Sequence, residues 1–386
     1  MSKRRICIVT GTRADYGHLY WLMHEIKDDS DLELKIIVSA MHLSPEFGLT
    51  YRDIENDGFT IDQRVEMLLS ADTSTAIAKS IGLGVIGFSD AFYNLRPDLV
   101  VILGDRYEAL AAAQAAMIAR VPIAHIHGGE LTEGATDDQI RHAITKLSHL
   151  HFTAAEIYKK RVVQLGEQPD RVHNVGALAL EHLNRKPLLS KSELEHSLDF
   201  KFSTLNFLVT FHNSTLKAGG PEKAFLNLAK ALENFPEAKI IFTRSNSDAE
   251  SRILNQLIDQ FQLKHEGRVK AFTSLGTERY LAALAYTDVI IGNSSSGLIE
   301  APFFKKPTVN IGERQRGRLL ASSVISCDES AESIIAAIQE ALSPEFQLKL
   351  QKVESPYGLG DAAVKIKETL KKSFLPDLIN KKFYDL

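Results

Sequence analysis

Residues 99–130, LVVILGDRYEALAAAQAAMIARVPIAHIHGGE, hold two short runs of apolar and β-branched residues, LVVILG and IAHIH, with a longer segment between them. Continuous apolar runs of this length, joined by a longer connection, are the mark of a parallel sheet buried on both faces by helices. The pattern extends outward in both directions. ICIVT and LKIIVSA precede this stretch and LHFTAA follows it. After a charged stretch, SKSELEHSLDFKFSTLN, the pattern restarts with FLVTF, KIIFT, VKAF, DVIIGN and TVNIG. We therefore expect an α/β protein of two doubly wound, Rossmann-like domains facing a central cleft, with the hinge between about residues 185 and 205. The expected division is 1–187, 188–360 and a helical tail, 361–386, that could pack on either domain. Ligands of open α/β sheets bind beyond the carboxyl ends of the strands, so the chemistry is sought there.

Composition sets the outer limits. A chain of 386 residues is long for one core. A formal charge of -4 offers no basic field to nucleic acid or to an anionic membrane, so neither is expected as a partner. Cys7 and Cys327 lie far apart, each in a strand-like run, and read as small core residues compatible with a reducing compartment. The amino-terminal apolar run ends at Gly11 and Arg13, too short for a signal peptide, and no run approaches membrane-spanning length; a cytoplasmic location is expected. GLGVIG, residues 82–87, matches the GxGxxG dinucleotide fingerprint but follows the helical STAIAKSI instead of a strand, so close helix packing is its expected use.

The densest chemistry is HIHGGELTEGATDDQIRH, residues 125–142, with three His, two Glu, two Asp and one Arg. His125 and His127, two apart, should share one face of a strand, and Gly128 and Gly129 permit a ligand or a neighbouring backbone to approach closely. Glu130 stands at the strand exit. Thr136 should open a helix with Asp137 and Asp138 in its first turn, and Asp138 and Arg141 can share a face. His125 and His127 with Glu130, Asp105 or Asp138 also resemble a metal site, the sharpest alternative from residue types alone. Upstream, GTRADYG places Arg13 before a helix start, with Asp15 a plausible cap and the guanidinium available to a diphosphate, or simply to solvent. GDRYEA puts Asp105 and Arg106 directly after an apolar strand, where Asp105 suits a base, a hydroxyl binder or a helix cap.

In the second half FLVTFH ends its strand at His212. DVIIGNSSSGLIEAP runs a buried strand into Ser294, Ser295 and Ser296 at a short helix, an anion site in the making. Glu300 follows, an acid able to accept from both hydroxyls of a ribose. NIGERQRGR supplies Arg314, Arg316 and Arg318, of which Arg314 is nearest the strand.

Taken in order, GTRADYG, GDRYEA, HIHGGE, DDQIRHAITKLSH, GNSSSGLIEAP and GERQRGR resemble the hydrolysing UDP-N-acetylglucosamine 2-epimerases of the bacterial sialic-acid pathway over nearly the whole chain. The resemblance implies a GT-B-like fold whose carboxyl-terminal helix returns to the first domain, no cofactor, no metal, and a homodimer or homotetramer. It implies UDP lying mainly against the second domain. Catalytic roles would fall on Asp105, Glu130, Asp137, Asp138 and His212. Nucleotide or substrate contacts would fall on Arg13, His127, Arg141, Ser294, Ser295, Ser296, Glu300 and Arg314. The chain departs from the pattern at His127, where animal relatives carry Glu. It departs also in a loop one residue longer before Asp137, and at Asn213, where many members have Pro. The implied reaction takes UDP-N-acetylglucosamine through 2-acetamidoglucal to N-acetylmannosamine and UDP. A diacetamido-trideoxy sugar or GDP would leave the same motifs. A GT-B glycosyltransferase or a non-catalytic nucleotide-sugar-binding regulator are the remaining alternatives.

Overall fold

The computed structural model describes residues 3–69, 73–132, 136–212, 220–244 and 249–386. Its contacts divide the chain into two compact units, Met1–His182 with Tyr357–Leu386, and Leu183–Pro356.

The first unit is built on a seven-stranded parallel sheet: β1 (Arg4–Thr10), β2 (Leu32–Ser39), β3 (Gln63–Val65), β4 (Leu99–Leu103), β5 (Ile123–Ile126), β6 (Leu150–Thr153) and β7 (Val172–Asn174), in the order β3-β2-β1-β4-β5-β6-β7. The chain winds outward from β1 in one direction and from β4 in the other, so the switch point lies between them. The continuous apolar runs follow from burial on both faces. In β1, Ile6 and Ile8 enter one core while Cys7 and Val9 enter another; in β4, Leu99 and Val101 oppose Val100 and Ile102 in the same way. One core is closed by the helix Arg13–Lys27 through Leu19, Leu22, Met23 and Ile26, and by the carboxyl-terminal helix Ala362–Lys372 through Ala363, Ile366 and Leu370. The tail is pinned further by Lys381, whose Nζ donates to the carbonyls of Lys146 and Ser148 at 2.6 Å and pairs with Glu167 at 2.8 Å.

The other face is covered by the helices Ser74–Leu95 and Tyr107–Ile118. GLGVIG lies inside the first of these, and a side chain at Gly84 would strike Met67 and Ala111, or at Gly87 Val65. Gly84 and Gly87 are there for close packing, whereas Gly82 faces open space. Contrary to the expectation from sequence, this 22-residue helix is, among the described residues, long and apolar enough to cross a membrane by length and composition. Its glycines, serines and alanines make a mildly apolar helix instead of a leucine-rich run.

The second unit repeats the plan with six parallel strands: β8 (Asn206–Thr210), β9 (Lys239–Thr243), β10 (Val269–Phe272), β11 (Val289–Gly292), β12 (Thr308–Ile311) and β13 (Val324–Cys327), in the order β10-β9-β8-β11-β12-β13. Its switch point lies between β8 and β11, the strands that run into His212 and Asn293. Gly292 is required there: with φ 137°, any side chain would meet the Thr210 carbonyl of β8. Cys7 and Cys327 are free thiols on β1 and β13.

Candidate active site

In the first unit the residues gather where β1, β4 and β5 end. Thr12 caps the helix Arg13–Lys27, accepting from the Asp15 N–H at 3.2 Å while Asp15 accepts from the Thr12 N–H at 3.1 Å. Thr12 is thus the cap and Asp15 its reciprocal partner, a capping box in place of the Asp15 cap expected from sequence. The box turns positions 12 and 15 toward the protein and leaves Arg13 exposed, 3.7 Å from Asp53. Burial, with Glu108 nearby, pushes the Asp15 carboxyl up to about 6. Glu108 itself is buried and accepts from Arg106 Nε at 2.5 Å.

Arg141 organises the next shell of contacts. It is 2 % exposed and sits in the helix Thr136–Leu147 that the TDDQ run opens. Its guanidinium donates to Asp105 at the β4 exit, to Asp138 at 3.4 Å, to the Thr132 hydroxyl at 3.0 Å and to the Glu130 carbonyl at 2.9 Å. Asp138 also accepts the Thr132 N–H at 2.7 Å, drawing the loop before the helix inward. A planar donor fork held among two carboxylates is fixed in both position and charge. Asp137 remains exposed. The longer loop before it lies partly outside the described residues, as does Asn213.

The two histidines part company. β5 ends at Ile126, and His127 takes φ 67°, so the strand alternation that would put both on one face stops short of His127. His125 is fully buried, with Nε2 2.8 Å from the Gly104 carbonyl and Nδ1 3.1 Å from the Thr145 hydroxyl. Burial pushes its imidazole down to about 3, so it is a neutral strut between the β4 exit and the helix Thr136–Leu147. His127 instead sets Nδ1 2.7 Å from Glu130 Oε1, with Glu130 itself 6 % exposed. Gly129, φ 79°, lies against the Tyr158 carbonyl, so this glycine serves a neighbouring backbone. The metal reading fails for want of convergence: His125 spends both ring nitrogens inside the fold. Among the described residues no three His, Cys, Asp or Glu side chains group to hold an ion.

In the second unit Asn293 clasps the end of β8, accepting from the His212 N–H at 2.7 Å and donating to its carbonyl at 2.8 Å. The Asn293 carbonyl receives Arg314 at 2.9 Å and Gln315 at 2.7 Å. Burial, then Arg314, pushes His212 down to about 4, so its ring is neutral near pH 7. Ser294 and Ser295 are half-buried at the β11 exit, and Ser294 Oγ accepts the Ser296 N–H at 3.4 Å. The helix they open, Ser296–Ile299, is a single turn, so individual hydroxyls and N–H groups count here more than any macrodipole. The Ser296 hydroxyl accepts from Tyr280 at 2.6 Å. Burial pushes Glu300 up to about 7 against a hydrogen bond from Ser296 and the charge of Arg318; its buried Oε2 meets no protein partner.

These two clusters invite comparison with known proteins. A family model described as UDP-N-acetylglucosamine 2-epimerase matches residues 24–371. The chain belongs to this family. A GDP/UDP-N,N'-diacetylbacillosamine 2-epimerase (hydrolyzing) of Campylobacter jejuni is 43% identical over 387 residues, covering 100% of both chains. Polysialic acid biosynthesis protein P7 of Escherichia coli is 37% identical over 390 residues, covering 99% of this chain and 98% of its own. The crystal structure of UDP-GlcNAc 2-epimerase from Neisseria meningitidis bound to UDP-GlcNAc matches with a TM-score of 0.82 at 19% identity, over 96% of this chain and 100% of that one. The fold of this epimerase-family chain is accordingly GT-B-like.

Several residues of these clusters in the family chain escape a reading of local sequence. Tyr280 reaches Ser296 from a helix 16 positions away, and nothing in GTERYLAALAY announces it. His18 packs its ring 6.4 Å from that of His127. Glu108 was within reach: three positions after Asp105, in a first helical turn, it is an acid with no apolar role to play.

Proposed function

We propose that the chain is a hydrolysing 2-epimerase of a nucleoside-diphosphate-linked 2-acetamido sugar. The second unit holds the nucleoside diphosphate through Ser294, Ser295, Glu300 and Arg314; the first unit moves protons at C2. The observation that carries the reading is the Asp105–Arg141–Asp138 cradle beside the His127–Glu130 pair, in a chain of this family. C2–H of an amino sugar has no neighbouring carbonyl to acidify it, so simple deprotonation is closed. Elimination opens a route. A base takes the C2 proton, its bonding pair becomes the C1–C2 double bond, and the nucleoside diphosphate leaves C1 with the C–O pair. The leaving charge is met by Arg314 and the serine hydroxyls. Water then adds its hydroxyl to the 2-acetamidoglucal at C1, while a proton arrives at C2 from the opposite face. Free sugar with inverted C2 results.

Identity of 43% along the whole chain supports a 2,4-diacetamido-2,4,6-trideoxy sugar on UDP or GDP, the substrate for which the Campylobacter relative is named. UDP-N-acetylglucosamine, giving N-acetylmannosamine, is the second reading, favoured by the description of the family. Incubation with each nucleotide sugar in deuterium oxide separates them. The expected result is free epimerised sugar from the diacetamido substrate with one deuterium at C2. Unlabelled C2 would sink the elimination, and faster release of N-acetylmannosamine would reverse the order of substrates.

A further inference from the structure

We propose, resting on that reading, that the His127 imidazole is the base that takes the C2 proton, and that Glu130 is a positioning residue acting through its ring. The backbone bears the first mark: φ 67° at a residue with a side chain is a sparsely populated conformation, retained where its surroundings over-determine it. Here the His127 N–H donates to the Phe152 carbonyl at 2.8 Å while Nδ1 meets Glu130 Oε1 at 2.7 Å. An ionised carboxylate only accepts, so Nδ1 carries the proton and Nε2 is left bare. That Nε2 is buried and meets no protein partner. A bare ring nitrogen, aimed by a carboxylate on the other nitrogen, is the arrangement of a general base.

Three rival groups are committed elsewhere. Asp105 and Asp138 are tied to Arg141, and Asp138 also holds the Thr132 N–H. His125 uses both nitrogens within the fold. Among the described residues, the titratable groups that face His127 include His18 from the first helix, His125 from β5 and Glu130 from the loop. Burial, with His127 adding to it, pushes His18 down to about 4, and His125 lies near 3, so both rings are neutral. Glu130 supplies the charge that balances the imidazolium. In the step, Nε2 bonds the C2 proton, the C2–H pair forms the double bond, and the C1–O pair leaves with the nucleoside diphosphate. Solvent then discharges the ring. The same ring could return a proton only to the face it came from, so the second proton, on the opposite face, comes from another group.

The test uses the full chain with its nucleotide-sugar substrate. His127→Ala should lower kcat for nucleoside-diphosphate release by about 10²- to 10⁴-fold. Its Kd for UDP should stay within about twofold, and its hydration of supplied 2-acetamidoglucal should continue. Glu130→Gln should keep partial activity but move the acid limb of the kcat profile to lower pH, because the imidazolium has lost its counter-charge. The proposal is overturned by a His127→Ala enzyme within tenfold of the native rate, by equal loss of elimination and hydration, or by an unmoved acid limb in Glu130→Gln. Absence of nucleoside diphosphate from the native enzyme on every acetamido sugar would instead strike the parent reading.

Discussion

Two arginines at equivalent places in the two sheets, Arg141 enclosed and Arg314 partly open to solvent, are treated in opposite ways. Arg141, serving the β4 and β5 exits, is enclosed by Asp105, Asp138, a hydroxyl and a carbonyl. Arg314, serving the β11 exit, donates to one carbonyl, meets no carboxylate among the described residues, and has its guanidinium proton affinity lowered by burial and by Arg318. The topologies are the same, so the difference lies in the loops. The first unit balances these charges internally. The second leaves Arg314 without a carboxylate and Glu300 Oε2 without a protein partner among the described residues, which on the proposed reading an anion and the hydroxyls of a ligand complete. On the proposed reading, a preorganised proton-transfer site and a ligand-completed binding site are different ways to use one fold.

The largest test of that contrast is Arg141→Met. Removing the guanidinium leaves Asp105 and Asp138 without their shared partner, and breaking a buried ion pair costs about 3 kcal/mol. Melting should shift downward accordingly, and kcat should fall by about 10²- to 10³-fold as the site loses its fixed donor. UDP affinity, measured by calorimetry, should not change. A parallel fall in UDP affinity would break the division of labour between the units.

Arg314→Ala should reverse the pattern. Among the described residues no carboxylate pairs with Arg314, so the ligand-free variant should melt no lower than the native chain. UDP binding, losing a charge-assisted pair, should weaken by about tenfold to a hundredfold. That loss should shrink as salt rises only to the extent that the site is open to ions. A destabilised ligand-free fold would mean that Arg314 has an internal partner after all, and the contrast with Arg141 would collapse.

Much of this was legible in the chain. Parallel strands buried on both faces must be apolar throughout, so ICIVT, LVVIL and VIIG could be nothing else, and the loops that leave them carried their acids and hydroxyls in plain view. The edge strands QRV and VHN, three residues each, escaped notice because an edge strand paired on one side needs no apolar run. The site was legible where contacts are local, as between Asp138 and Arg141 in one helical turn. It was illegible where a single dihedral decides, as at His127, whose φ takes it off the strand face that its spacing from His125 implied. Tyr280 and His18 are brought in by tertiary packing alone, which no spacing encodes. Arg13, left open by the sequence between a diphosphate and solvent, is exposed beside Asp53.

Glu300→Gln gives the smallest effect and the finest reading of the comparison, because its sign changes with what is measured. Burial raises the native carboxyl from 4.5 to about 7, so the folded chain holds a proton that the unfolded chain releases earlier. A raised carboxyl makes stability fall as pH climbs from about 4.5 to about 7, with the full penalty above that window. The Gln variant carries no such penalty. It should therefore melt higher than the native chain at pH 8, and the gap should close as pH is lowered toward 4.5. Binding should move the other way. An ionised acceptor holds ribose hydroxyls more strongly than an amide by about 1 kcal/mol, so UDP affinity at pH 8 should drop roughly fivefold. At pH 6 the native carboxyl is largely protonated and the affinity gap should narrow. A variant less stable at pH 8 would place the missing partner of Glu300 inside the protein, and the second unit would then be as self-contained as the first.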